Sequence, residues 1–236
     1  MRIGIIGSGK MGGTLARHLG PLGHQVLIAN SRGSNSLTEL AADLGAVPSS
    51  IAGAVSGAQL IILAIPTKAV PQLPHDLFAS TPGAVPVIDT GNYHPELRDG
   101  RIAAIDEGLC DSQWVAQQLA RPVIKAFNHI FDTSLDRKGL PPGSRGRIAL
   151  SVMGDSPEAK ATTLALIDSL GFDPIDGGGL ADSWRQQPGT PAYCRDLEGP
   201  ALRRALASAE RGRVGEYRAA EEARIKRLIS GLAADA

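Results

Sequence analysis

The sequence is poor in cysteine, in aromatic residues, in net charge and in long apolar runs. Only two cysteines occur, Cys110 and Cys194, with no C-x-x-C spacing. That excludes a disulfide framework, and both thiols read as reduced and buried. Aromatics make up 4% of the residues. Lysine plus arginine equals aspartate plus glutamate at 24 each. A protein that binds nucleic acid by neutralising phosphates should be basic, so that class is excluded. The longest apolar run, Leu60–Pro66, is far short of the roughly 20 residues that a membrane span requires. The first apolar run, Ile3–Ile6, is interrupted by glycines and followed by Lys10, unlike a secretory leader. A cytoplasmic protein with no membrane partner and no metal is therefore expected.

The chain has 236 residues, of which 43% are hydrophobic and 20% charged. These are globular values, and the length suits one large domain or one domain with an appendage. The 28 glycines and 16 prolines form no repeat.

The first half alternates short apolar runs with amphipathic segments. Arg2–Ile6, Gln25–Ala29, Gln59–Ile65, Val85–Asp89 and Pro122–Phe127 read as strands, with a stub at Ala46–Val47. Met11, Leu15, Leu19 and Leu22 recur at helical spacing, and Leu37, Leu40, Ala41 and Leu44 mark a second helix capped by Asn35 or Ser36. Strands alternating with helices predict right-handed crossovers, hence a Rossmann-type doubly wound parallel sheet of the α/β class.

Gly139–Gly146 is a turn-rich break. It divides the chain into an expected dinucleotide-binding domain, 1–145, and a small C-terminal extension, 146–236, that passes from α/β to helical. There Arg147–Met153 and Phe172–Asp176 read as strands. Ser156-Pro157 opens a helix that stops at Gly171. Gly177–Gly179 reads as a loop, and Gly199 onward as helix broken near Gly212 and Gly215. Ile225, Leu228, Ile229 and Leu232 form an apolar stripe able to seat on the main domain or on a second subunit.

Gly7-Ser8-Gly9-Lys10-Met11-Gly12 matches G-x-G-x-x-G directly after the first strand. Gly7 allows the tight turn, Gly9 lets a pyrophosphate approach the backbone, and Gly12 lets helix and sheet pack closely. The helix N-terminus attracts the anion. After the second strand the chain reads Ala29-Asn30-Ser31-Arg32-Gly33. No carboxylate stands there to hold a ribose 2′-hydroxyl, whereas Asn30, Ser31 and Arg32 suit a 2′-phosphate. NADP(H) is therefore the expected dinucleotide.

Ligands of such sheets bind outside the carboxyl ends of the strands. Those ends carry Ile65-Pro66-Thr67-Lys68, then Asp89 to Tyr93 with Asn92 among them, then Asn128-His129. Asp89 reads equally well as a turn cap. His129 reads either as a packed histidine or as a proton donor.

The segments MRIGIIGSGKMGGTLA, NSRG, LIILAIP and VIKAFN, and above all MGDSPEAKATTLALIDSLGFDPIDGG at 153–178, resemble the coenzyme F-420-dependent NADP oxidoreductase family. The stretch from Ser183 to Tyr193 is closer to a bacterial subgroup of that family. The resemblance implies a Rossmann domain with a small C-terminal domain, a homodimer, and hydride exchange between NADPH and carbon 5 of a deazaflavin. It implies that Ser8, Gly9, Lys10 and Met11 line the pyrophosphate and that Asn30, Ser31 and Arg32 take the 2′-phosphate. Ile65 and Pro66 would lie near a ribose, and the deazaflavin would enter between the sheet edge and the C-terminal domain.

A hydride step between two cofactors demands stacked rings and no obligatory side-chain acid. Asn128 and His129 are the nearest polar candidates, and Trp184 and Tyr193 are candidates to stack on a second substrate. Two alternatives remain open: an NADPH-dependent reductase of a small imine or carbonyl compound, and a non-catalytic NADPH-binding module. Between Ala201 and Leu228, Arg203, Arg204, Arg211, Arg213, Arg218, Arg224, Lys226 and Arg227 outnumber Glu210, Glu216, Glu221 and Glu222. This excess reads either as a solvated face with pairs such as Glu222–Lys226 or as attraction for an anionic acceptor.

Overall fold

A computed structural model describes residues 1–234. Its centre is one eight-stranded sheet in the order β3-β2-β1-β4-β5-β6-β7-β8. The strands are β1 (Arg2–Ile6), β2 (Gln25–Ala29), β3 (Val47–Ser49), β4 (Leu60–Leu63), β5 (Val87–Asp89), β6 (Ile124–Lys125), β7 (Ala149–Met153) and β8 (Asp173–Gly178). All neighbours pair in parallel except β6 and β7, which meet antiparallel at Lys125 and Met153. The mostly parallel, doubly wound sheet read from the sequence is thus present. Strand order reverses between β1 and β4, which is where this topology opens a crevice.

The helices are α1 (Lys10–Leu19), α2 (Thr38–Asp43), α3 (Ile51–Val55), α4 (Ala103–Asp106), α5 (Asp111–Gln118), α6 (Asp132–Arg137), α7 (Pro157–Ser169), α8 (Gly199–Ser208) and α9 (Val214–Ala234). They cover both faces, so the central strands are apolar at every position rather than at alternate ones. Ile3, Ile5, Leu60 and Ile62 pack with Leu15 and Leu19 of α1 and with Ile167 of α7. Ile6, Ile61 and Leu63 face the opposite way, toward Tyr93, Trp114 and Val115. Gly4 lies on that second face, and only glycine fits there because a Cβ would stand 2.0 Å from the Ala54 carbonyl oxygen.

Beyond Gly146, β7 and β8 extend the same sheet. Ala149, Met153 and Ile175 pack with Leu202 and Leu206 of α8. The buried Arg147 guanidinium binds Asp173 at 2.6 Å, Asp168 at 2.9 Å and the Leu140 carbonyl at 2.9 Å, so it closes the 139–146 turn. Helix α9 returns to the first half. Arg218 reaches Asp111 at 3.4 Å and lies over the Tyr93 ring at 4.7 Å, and Glu222 accepts the Glu96 N–H at 3.0 Å.

Several local expectations are corrected. Gly177 and Gly178 are strand, not loop. A bulge pairs Gly178 with Met153, and a strand without side chains carries no apolar signature. Residues Ser34–Leu37 form a single 3-10 turn, and α2 starts only at Thr38. The break after α8 is the turn Arg211–Arg213, with Gly215 inside α9. Glu222 is buried against Glu96 and so does not serve a solvated pair with Lys226. Leu228 and Ile229 stay 54% and 60% exposed, so this part of the stripe does not seat on the chain's own core. Among the described residues no helix is long and apolar enough to cross a membrane, and no group of three or more His, Cys, Asp or Glu is placed to hold a metal.

Candidate dinucleotide and hydride-transfer site

The loop between β1 and α1 is forced into shape by its glycines. Gly7 adopts φ +117°, and a Cβ there would meet the Ala64 carbonyl oxygen at 2.1 Å. A Cβ on Gly12 would meet the Gly7 carbonyl oxygen at 2.0 Å, so only glycine lets α1 approach the sheet this closely. Gly9 differs, since a Cβ there would meet nothing within 4 Å. It caps α1 without a side chain, and no acidic residue occupies the first turn. The first N–H groups of α1 therefore face an open, anion-favouring space.

A cavity of about 350 Å³ runs from this loop along the carboxyl edge of the sheet. Gly9, Lys10 and Met11 form one end, Ile65 and Pro66 one wall, and Gly91, Asn92 and Asn128 the floor, with Tyr193 and Cys194 opposite. Ser8 and Asn30 join it from the side, through the Asn30 Nδ2–Ser8 Oγ bond of 3.3 Å. Asn30 Oδ1 also accepts the Arg32 N–H at 2.9 Å, which shapes a turn that leaves Ser31 and Arg32 exposed.

Thr67 departs from its expected place. It is buried below the loop, donates to the Asn92 carbonyl at 3.2 Å and does not line the cavity. Asn128 does line the cavity, but its side chain is spent on structure. Its Nδ2 donates to Asn92 Oδ1 and to the Gln186 carbonyl, and its Oδ1 accepts from Gln186 Nε2, at 2.8–3.0 Å. His129 is corrected outright as a proton-donor candidate. It is buried away from the cavity, and its Nε2 accepts the Ser151 N–H at 3.0 Å. Trp184 is a buried packing residue outside this cavity, with Arg185 over its ring at 4.5 Å, whereas Tyr193 does line it.

Burial holds the His129 pKa down at about 4. Its unfolded counterpart binds a proton below about pH 6.5. Stability that is complete above pH 6.5 is therefore lost as pH falls toward 4, by about 3 kcal/mol from this residue. Urea midpoints measured from pH 7 to 4 should show that slope, and His129→Gln should flatten it. An unchanged slope in the variant would contradict the assignment.

Two features escaped the sequence. The first is the buried pair beneath the floor. Lys125 is 0% exposed, and its Nζ donates to Asp89 Oδ2 at 3.1 Å and to the Gly91 carbonyl at 2.5 Å. Asp89 Oδ1 accepts the Gly91 N–H at 2.8 Å, so Asp89 is the turn cap, and Ser112 donates to its other oxygen. Alternation of apolar residues hides a lysine inside VIKAFN, although a charge within a strand run is itself the signal.

The second feature is His94, which lines the cavity two residues beyond Asn92. Its N–H donates to Asp99 Oδ2 at 2.8 Å, and burial holds its pKa at about 4. Phe127 (φ +62°) and Cys194 (φ +51°), both in the left-handed region, also line the cavity, and the Cys194 N–H is held by the His129 carbonyl at 2.9 Å. Burial pushes the Cys194 thiol up to about 12, so it stays protonated and unreactive.

Comparison with known proteins is consistent with this geometry. The Escherichia coli (strain K12) protein YjhV is 49% identical over 78 residues, which cover 33% of this chain and 57% of that protein. The chain thus spans little more than half the length of that relative. The hypothetical protein SMa0349 from Sinorhizobium meliloti is 28% identical with a TM-score of 0.70, and the match covers 84% of this chain and 96% of that one. A candidate F420-dependent NADP reductase from Arthrobacter sp. FB24 shares the fold at 20% identity and a TM-score of 0.64, covering 78% of this chain and 86% of the other. These structural matches share the mostly parallel α/β fold of this chain. Over residues 2–93, which carry the glycine loop, the Asn30–Arg32 turn and the strand ends up to Asn92, the chain matches the family described as NADP oxidoreductase coenzyme F420-dependent.

Proposed function

We propose that this protein transfers a hydride between NADPH and a planar acceptor of the deazaflavin (coenzyme F-420) or flavin class. The observation that carries the reading is the single cavity that leads from the open helix N-terminus at Gly9 to the Asn92–Asn128 floor. Bound NADPH supplies the hydride; the chain supplies binding, orientation and exclusion of water. The first turn of α1 and Lys10 hold the pyrophosphate, and Asn30, Ser31 and Arg32 hold the 2′-phosphate. Met11, Ile65, Pro66 and Phe127 supply the apolar lining that keeps water from the reacting carbons. The locked Asn92–Asn128 pair fixes the polar floor without giving up a proton.

The deciding experiment is absorbance-monitored NADPH oxidation with F-420, FMN, FAD, ferric chelates and a panel of small imines and carbonyls in parallel. Turnover with F-420 or a flavin is expected. Turnover with imines or carbonyls alone would replace the acceptor class. Tight NADPH binding with no turnover would leave a non-catalytic binding module.

Arg32 should set the dinucleotide preference. A charge-assisted pair with a 2′-phosphate is worth roughly 1.5–3 kcal/mol, or about 10- to 150-fold in affinity. Arg32→Ala should weaken NADPH by that factor and leave NADH unchanged in fluorescence titrations. Equal losses for both would make Arg32 a structural residue.

A further inference from the structure

The ring of His94 is 12% exposed and lines the proposed hydride-transfer cavity with Asn92, Arg98 and Tyr193. Its Nδ1 is buried and bonded to nothing, yet stands 4.0 Å from the Glu222 carboxylate. With Nδ1 turned inward, Nε2 is the nitrogen that meets the cavity. Glu222 is itself buried and fixed by the Glu96 N–H, so it cannot swing away to solvent. At 4.0 Å Glu222 makes no hydrogen bond to Nδ1, but its negative charge favours the proton on that side of the ring and leaves Nε2 as the acceptor, an arrangement suited to acid–base work.

We propose that His94, oriented by Glu222 of α9, exchanges the proton that accompanies hydride transfer at this site. The inference rests on the reading of the cavity given above, and it narrows the second substrate to one whose reduction adds hydride at carbon and a proton at nitrogen or oxygen. In the reducing direction the hydride and its two electrons leave the nicotinamide carbon and form a C–H bond on the acceptor. The acceptor's C=N or C=O π electrons move onto the heteroatom, directly or through conjugation. The heteroatom takes a proton from the His94 imidazolium, which is refilled from water. In reverse, neutral His94 Nε2 removes that proton as the hydride departs to NADP⁺.

The field at His94 is mixed. Arg98 and Asp99 lie on its own loop, and Arg218, Glu221 and Glu222 face it from α9. Lys10, Asp132, Tyr193 and Cys194 share the cavity. Burial and the arginines keep it neutral at pH 7, so reduction should accelerate as pH falls and oxidation should persist across neutral pH.

The test compares wild type with His94→Gln and Glu222→Gln. His94→Gln should lower kcat about 100-fold or more, keep the NADPH Kd within about twofold, and abolish the acid acceleration of reduction. Glu222→Gln retains the acceptor for Glu96, and it should shift the pH profile rather than remove it. Nitrogen NMR of labelled imidazole should show His94 with the proton on Nδ1 at pH 7, and Glu222→Gln should move that signal. An active His94→Gln with an unaltered pH profile would overturn this proposal alone. A His94 proton found on Nε2 would overturn it too. An inert wild type that still binds NADPH would sink both this proposal and the function on which it rests.

Discussion

Lys125→Met is expected to lower folding stability by about 3–5 kcal/mol, the usual cost of removing one partner of a buried ion pair. The size follows from position. Lys125 is fully enclosed between β5 and β7, and its ammonium is the cation beside Asp89. Without it the Asp89 carboxylate keeps Ser112 and the Gly91 N–H but remains a charge in a dry interior. The double variant Asp89→Asn/Lys125→Met should recover part of the loss, because it removes both charges. NADPH affinity should fall as well, since Lys125 also holds the Gly91 carbonyl and with it the turn that carries Asn92. Urea unfolding of both variants measures the first effect and fluorescence titration the second. A loss below about 1 kcal/mol would show that water reaches this pair, because exposed ion pairs contribute at that level.

Gly7→Ala and Gly9→Ala should behave as opposites. At Gly7 the added methyl meets backbone at 2.1 Å in a φ region that alanine avoids, so the strand–helix turn must distort. Backbone strain and overpacking together suggest about 4 kcal/mol of lost stability. At Gly9 the methyl meets open space within the chain, so thermal unfolding should stay near wild type. That open space is where the pyrophosphate is proposed to approach, so NADPH affinity should drop sharply in the same variant. The comparison separates glycine as a folding requirement from glycine as room for a ligand. A stable Gly9→Ala that binds NADPH normally would show that the anion does not sit against this loop.

Much of the architecture was legible because each central strand carries its own apolar run and each crossover helix its own period. Leu60–Leu63 and Arg2–Ile6 read as strands buried on both faces, and the glycine loop directly after β1 marks the open helix N-terminus at one end of the cavity. Composition alone also led to the expectation of no basic nucleic-acid surface, no disulfide scaffold and no membrane span. Those signals are local, and a local signal survives in one dimension.

What the sequence left undecided depends on which distant segments meet. Asp89 became a turn cap only because Lys125, Ser112 and Gly91 converge on it. His129 and His94 look alike as strand-end histidines. One is turned inward onto Ser151, while the other faces the cavity with Glu222, 128 positions later, behind it. Asn128 points the right way but has its hydrogen-bonding capacity consumed by Asn92 and Gln186. A histidine or asparagine can bond protein or ligand with equal ease. The tertiary structure decides between them by supplying or withholding partners, and burial decides whether the remaining proton is available near neutral pH.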